Sequence, residues 1–379
     1  MKRYFYHRGW LWSTPIFFLL SCSFEKSDQK FSYSSFTELD SLEIVMPDEF
    51  LQFTNWTTYK KNEQTILVEY GLWGQGDLVI HQVDFNKATY ENTISIPREG
   101  PDGYNSSTAS VFVKNEDSVF VFPAARNSFF LYNSAGKQVN EFQYNSSNFE
   151  RYYKNGYYSS LVSLKEGMIL TTINDTRYDD PHYFGKVSPI QFYDQNSSQF
   201  VGKIDFPEFI QNKYLPSELS GAMISEIDKD QVLINYNFSD SIYIYNLRNN
   251  VMKGFYCGSN HFGKPKLLER LPYKGQEIEY SVKEVNYELA FYHNSKIYRV
   301  VSHISADKYR DYSVMEIVSQ NLRAFSLVEM DLKTGVLKYY QLPIAKYFVF
   351  QDNFLFVGGV SVREDDQDTY RRFYKYTLE

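Results

Sequence analysis

Apolar residues along this chain fall in short runs, each closed by Gly, Pro, Asn, Asp or Ser, and few runs keep a helical spacing. The stretch Asp117–Phe142 shows the pattern best. Ser118–Phe122 is β-branched and aromatic, Pro123–Asn127 interrupts it, and Phe129–Tyr132 resumes it. Asn133–Gly136 then turns the chain, and Lys137–Phe142 alternates polar with apolar positions. β-Branched and aromatic side chains pack well on a pleated surface, and turn formers between them mark hairpins. Three consecutive strands are therefore expected here.

The phrase recurs. A polar residue at a turn leads into an apolar run at Glu63, Asp117, Glu166, Asp230, Asn294 and Asp352, at intervals of 49 to 64 residues. Asn127–Asn133 and Asp240–Asn246 echo each other 113 residues apart, which is two repeats. A period in this range, with four strands per unit, marks a radial array of small sheets. The expected fold is all-β: a six-bladed β-propeller with four-stranded antiparallel blades at roughly 47–97, 98–144, 145–207, 208–257, 258–342 and 343–379. The last unit has three strands of its own. Ser41–Met46 is a spare alternating strand ahead of the first unit. As the outer strand of the last blade it closes the ring and removes an open edge.

Composition changes this picture little. Aromatic residues make up 18% of the 379, enough for one large core. The net charge of −7 and the lack of a long basic run argue against nucleic acid as a partner.

The N-terminus adds a compartment. Lys2, Arg3 and Arg8 precede a 12-residue apolar segment, Gly9–Leu20. That is shorter than the about 20 residues a membrane-spanning helix needs, and it reads as a signal peptide. It ends in Leu19-Leu20-Ser21-Cys22, which resembles the lipobox of bacterial lipoproteins. The resemblance implies lipidation at Cys22 and anchoring by acyl chains. Residues 1–21 are then the lipoprotein signal peptide, 22–38 a Ser-rich flexible tether, and 39–379 the propeller. With Cys22 lipidated, Cys257 has no disulfide partner.

A family resemblance follows from Ile96-Pro97-Arg98-Glu99-Gly100-Pro101-Asp102-Gly103, a strand pair, and Asn133-Ser134-Ala135-Gly136. This arrangement resembles the uncharacterised six-bladed β-propeller lipoproteins of Bacteroidetes. The resemblance implies a lipid-anchored outer-membrane or cell-surface protein and no established activity.

In a propeller, the b–c and d–a connections share one end and the a–b and c–d turns the other. The b–c and d–a connections are the long ones here, and long loops on a rigid scaffold carry function. Candidate ligand-binding residues on that end are Arg98, Glu99, Asp102, Arg126, Arg177, Asp180, His182, Asp240, His261, His303 and Arg323. Arg98, Arg126, Arg177 and Arg323 are forked donors suited to carboxylate or phosphate. Three histidines, His182, His261 and His303, supply acid–base or metal-ligating groups. Trp73, Tyr104, Tyr178, Tyr183 and Tyr214 are candidate sugar-stacking platforms. The acidic loops at Asp175–His182 and Glu364–Asp368 hold oxygen ligands of the kind Ca²⁺ takes, without EF-hand spacing. No cofactor is expected.

HExxH, GxSxG, the P-loop and CxxC are all absent. The reading that follows is a lipid-anchored, non-enzymatic binding or scaffold module for a peptide, glycan or envelope protein. The alternative is a carbohydrate-active lyase or hydrolase working at the channel mouth. Asp40-Ser41-Leu42 also resembles the acceptor motif of Bacteroidetes O-glycosylation.

Overall fold

The structure is a computed structural model. It describes residues 32–35, 38–46, 55–62, 64–74, 76–123, 126, 128–143, 161–163, 168–172, 182–216, 219, 221–259, 261–270, 276–304, 311–320, 322–363 and 369–378, with backbone alone at 161–163, 168–172, 318–319, 360–363 and 369. The apolar runs form strands, and the strands form an all-β propeller of four-stranded antiparallel blades.

The first sheet is β2 (Asn55–Lys61), β3 (Gln64–Trp73), β4 (Asp77–Asp84) and β5 (Thr89–Ile96). The second is β6 (Ala109–Asn115), β7 (Ser118–Pro123), β8 (Ser128–Tyr132) and β9 (Gln138–Gln143). The third is β10 (Leu161–Ser163), β11 (Met168–Thr172), β12 (Ile190–Asp194) and β13 (Gln199–Ile204). The fourth is β14 (Ala222–Asp228), β15 (Gln231–Tyr236), β16 (Ser241–Asn246) and β17 (Val251–Tyr256). The fifth is β18 (Asn286–His293), β19 (Lys296–His303), β20 (Ala324–Asp331) and β21 (Leu337–Leu342). The sixth takes β22 (Tyr347–Gln351), β23 (Phe354–Arg363) and β24 (Thr369–Thr377), and its fourth strand is β1 (Glu38–Val45). β1 lies antiparallel to β24, from Glu38 opposite Tyr376 to Val45 opposite Tyr370.

The middle strands explain the continuous apolar runs. β3 and β4 are buried at nearly every position, because each face of their sheet packs on a neighbour. The outer strand β5 is buried at only two positions, Ile94 and Ile96. The polar residue ahead of each second strand also has a cause. Asp117 Oδ1 accepts the Ser134 amide at 3.4 Å, and the Asp230 carboxylate pairs with Arg248 at 2.5 Å, so each ties its turn to the next one along the blade edge. The turns themselves are closed by Asn115 Oδ1 and Asp228 Oδ1, which accept the Asp117 (3.0 Å) and Asp230 (2.8 Å) amides. Asn294 and Ser295 both have positive φ, 48° and 62°, as a two-residue hairpin whose twist matches its strands requires.

The core is a set of seams between sheets. One cluster joins Ile66, Val68 and Ile80 of the first sheet to Val111, Val119 and Val121 of the second. Another joins Leu233 and Ile242 of the fourth to Tyr287 and Val301 of the fifth. Between the second and third, Phe129 and Tyr193 meet edge to face at 5.1 Å. The sixth sheet meets the first through Phe356 stacked on Phe85 at 4.6 Å. The same seam buries charge: Arg371 pairs with Glu69 at 3.1 Å, and the Tyr347 hydroxyl donates to Glu69. Gly359, at φ +84°, makes room for that tyrosine. A Cβ there would lie 1.7 Å from the Tyr347 ring.

Candidate ligand-binding site

At the loop-rich end, the fifth blade gathers polar groups from five segments. β18 carries a register shift between Tyr287 and Leu289, so Glu288 has no partner across the ladder. A bulge of this kind re-aims a side chain. Glu288 accepts a hydrogen bond from Ser302 Oγ at 2.6 Å, at the end of β19. Burial pushes the Glu288 carboxyl up from its ordinary value.

Arg323, just ahead of β20, closes over the same serine. Its guanidinium donates to Ser302 Oγ (2.8 Å) and the Ser302 carbonyl (2.9 Å). It also donates to the Ser281 (3.2 Å), Val282 and Glu284 (3.0 Å) carbonyls. Those carbonyls end a short helix, Gln276–Lys283, in the connection from the fourth blade. The last carbonyls of a helix have no partner within it, and a cation there is favourable. Arg323 therefore ties the loop helix to the blade.

His303, next along, stacks on Phe262 at 4.5 Å, and its Nε2 lies 2.9 Å from Ser326 Oγ. The Tyr33 hydroxyl reaches the same Ser326 Oγ at 3.2 Å. Burial, aided by His261 and Arg323, pushes His303 down to about 4, so the ring is neutral near pH 7. Ser326 is fully buried.

A second buried cation holds the loop beside this cluster. Arg299 is 0% exposed. It donates to Asn235 Oδ1 (2.7 Å) and to the Cys257 (3.0 Å), Tyr236 (3.3 Å) and Ser239 (2.6 Å) carbonyls. Its guanidinium also lies 3.9 Å over the Tyr287 ring. This fixes the turn that leads to Asp240, whose carboxylate stands 4.0 Å from Lys264. Cys257 is buried and its thiol is pushed up to about 11 by that burial, so it is an unreactive thiol at neutral pH.

His261, His303 and Arg323 thus come together on the fifth blade. The other candidates stand elsewhere. Arg98 and Glu99 are exposed, and the Arg98 amide donates to Asp77 Oδ1 at 3.1 Å. Gly100 turns that loop at φ +102°. Asp102 accepts the Gln138 amide at 3.1 Å, across to the turn between β8 and β9. Arg126 is exposed, with its guanidinium 5.9 Å from the Phe130 ring. His182 is exposed and faces Asn212 Oδ1 at 3.1 Å. Cys22, Arg177, Asp180, Tyr178 and the acidic runs 175–181 and 364–368 lie outside the described residues. Among the aromatics, Trp73 is 37% exposed, but Tyr104 (0%) and Tyr183 (2%) are core residues that no sugar can stack on. Ser41 is exposed and sits within β1, opposite Tyr374.

Sequence reasoning missed Glu288, Ser302, Ser326 and Tyr33. Glu288 did leave a signal: it is one acid inside an otherwise apolar inner strand. Among the described residues no group of three or more His, Cys, Asp or Glu side chains is placed to hold a metal ion, and no helix is long and apolar enough to cross a membrane.

No family model matches the chain, and no curated protein matches it. Solved structures do. The chain is similar to a DUF4221-family protein from Bacteroides vulgatus. The TM-score is 0.68 at 13% identity, over 91% of this chain and 99% of that one. It is more distantly similar to a protein of unknown function from Bacteroides caccae (TM-score 0.42, 10% identity, 77% of this chain and 83% of that one). A WD40 domain of coronin from Toxoplasma gondii gives 0.43 at 7% identity, over 92% of this chain and 88% of that one. At 13% identity the first likeness carries the propeller fold and nothing about a ligand.

Proposed function

We propose that this chain is a cell-envelope binding or scaffold module: six blades in a ring closed by β1 on β24, held to the outer membrane or cell surface by lipid on Cys22. The loop-rich end around the fourth and fifth blades would receive a peptide, glycan or envelope protein. The observation that carries this reading is how the polar groups there are employed. Arg323 and Arg299 spend their donors on backbone carbonyls, His303 is held neutral, and Ser326 is fully buried. Such groups fix the shape of loops, as a preorganised recognition surface needs. They are poorly placed to exchange protons with a substrate.

One observation favours the carbohydrate-active reading. Glu288 has its carboxyl raised by burial, as a general acid in glycoside cleavage would. That chemistry needs a second carboxylate about 5–10 Å away. The groups that act on Glu288 are Ser302, Arg323 and Asn286, none of them acidic.

A panel of acidic and neutral polysaccharides and envelope peptides tests both readings, scored for saturable binding and for new reducing ends or unsaturated products. Binding without product, weakened by Arg126→Ala or His261→Ala, is expected. Product formation that is lost in Glu288→Gln would replace this proposal with the enzymatic one.

A further inference from the structure

The opposite end of the propeller holds a second, differently built site. The closing halves of the innermost strands β2, β6, β14, β18 and β22 line one cavity of about 450 Å³ at the a–b turns. That volume is in the range of small-molecule sites. Five strands from five sheets converge on it, so it is the mouth of the axial channel on the short-turn side.

Its wall sets aromatic rings beside the hydroxyls of Thr57, Thr58, Thr65 and Ser225, and its rim is charged. Phe112, Phe291 and Phe350 are partly buried and face it from three different blades. Lys60 and Lys114 stand on the first and second blades, which are neighbours. Glu226 and Asp352 stand on the fourth and sixth. The two signs therefore occupy different arcs of the rim. Among the described residues, Lys114, Glu226 and Asp352 have no hydrogen bond or ion pair from their charged ends. Charges of both signs around one small cavity would ordinarily pair with one another. Here the ring holds them on separate blades, and each keeps its full capacity for a ligand.

We propose that this mouth binds a small zwitterion with an apolar body, such as an apolar amino acid or dipeptide. The ligand carboxylate goes to the Lys114 side and its ammonium to Glu226, with Asp352 adding to the acidic arc. The apolar body lies on Phe112, Phe291 and Phe350. A ligand carrying one charge would satisfy one arc and leave the other unused. A nucleotide or acidic glycan would place several negative charges against Glu226 and Asp352.

The test is calorimetry and ligand-detected NMR with the mature chain and three probes: L-phenylalanine, N-acetyl-L-phenylalanine and L-phenylalaninamide. Saturable binding of L-phenylalanine is expected, with a tenfold or greater loss for each single-charge probe. Glu226→Gln should weaken L-phenylalanine about tenfold and leave N-acetyl-L-phenylalanine unchanged, since that probe has no ammonium to lose. Lys114→Gln should do the converse with the amide. Both side chains are exposed, and unchanged thermal melting of the variants excludes unfolding as the cause. Absence of saturable binding to L-phenylalanine, equal affinity for the three probes, or indifference to both substitutions would each overturn the proposal. Because Arg126 and His261 lie at the far end, the envelope-binding reading stands or falls separately.

Discussion

The two ends of this propeller use charge in opposite ways. At the loop-rich end, cations turn inward: Arg323 caps the end of a loop helix, and Arg299 pins a turn. At the short-turn end, the hairpins close themselves through Asx side chains and left-handed residues, so they need no such help. Lys114, Glu226 and Asp352 are left to the solvent. Long connections must satisfy their own backbone groups before they can offer anything to a ligand. Short ones have little to satisfy. Loop length alone is thus an incomplete guide to where chemistry is free.

The largest expected effect that could break this comparison is at Arg299. Arg299→Met takes a donor from three carbonyls and an amide oxygen in a buried site, of which the Tyr236 carbonyl keeps the Ser239 amide, and is expected to cost about 3 kcal/mol in denaturant unfolding at neutral pH. A loss below about 1 kcal/mol would mean that the loop end is held by something other than its buried cations.

A smaller effect comes from acid. His303 titrates at about 4 in the folded chain against an ordinary 6.5, so the unfolded chain binds its proton more readily. Its contribution is complete above pH 6.5 and is lost as pH falls from there toward 4. From pH 7 to 5 that amounts to about 1–2 kcal/mol, and His303→Gln should flatten the unfolding profile by that amount. Glu288 works the other way. Its raised carboxyl favours the folded chain when protonated, so its contribution falls as pH rises through the folded value. Glu288→Gln should therefore steepen the acid-side slope. If neither variant changes the profile, the two groups are more open to solvent than their burial implies.

The smallest effect is the sharpest contrast. Lys114→Met and Glu226→Gln are expected to change stability by less than about 0.5 kcal/mol each, as exposed and unpaired groups do. A larger cost in either, measured in the same unfolding assay, would show that the short-turn end also spends charge on the fold.

The strands were legible because the chemistry is local. Burial on both faces writes continuous apolar runs such as Leu78–Ile80, and a two-residue turn writes Asn294-Ser295. What a charged residue does was not legible in the same way. Arg126 and Arg323 both sit in b–c connections, yet one is exposed and the other is folded onto a helix end some 40 positions earlier in the chain. That helix end, directly ahead of β18, comes beside Arg323 through the pairing of β18 with β19 and β19 with β20. Tyr104 has the loop position of a surface platform, but its ring is buried and its hydroxyl donates to the Gly76 carbonyl at 2.6 Å. The turn-end rim had a signal that was present but unused: Lys60, Lys114, Glu226 and His293 all close an inner strand just before its turn.

The pairing of β1 with β24 also sets an order of events during synthesis. Val45 and Tyr370 are neighbours in the sixth sheet although 325 positions separate them. The earliest strand of the ring to leave the ribosome is therefore the one that waits longest for its partner. Until Thr369–Thr377 emerges, β23 keeps an open edge and β1 has no sheet to join. A chain stalled before Thr369 would hold strands for every other sheet and still lack β24, a window in which strand exchange with a second nascent copy competes with self-completion.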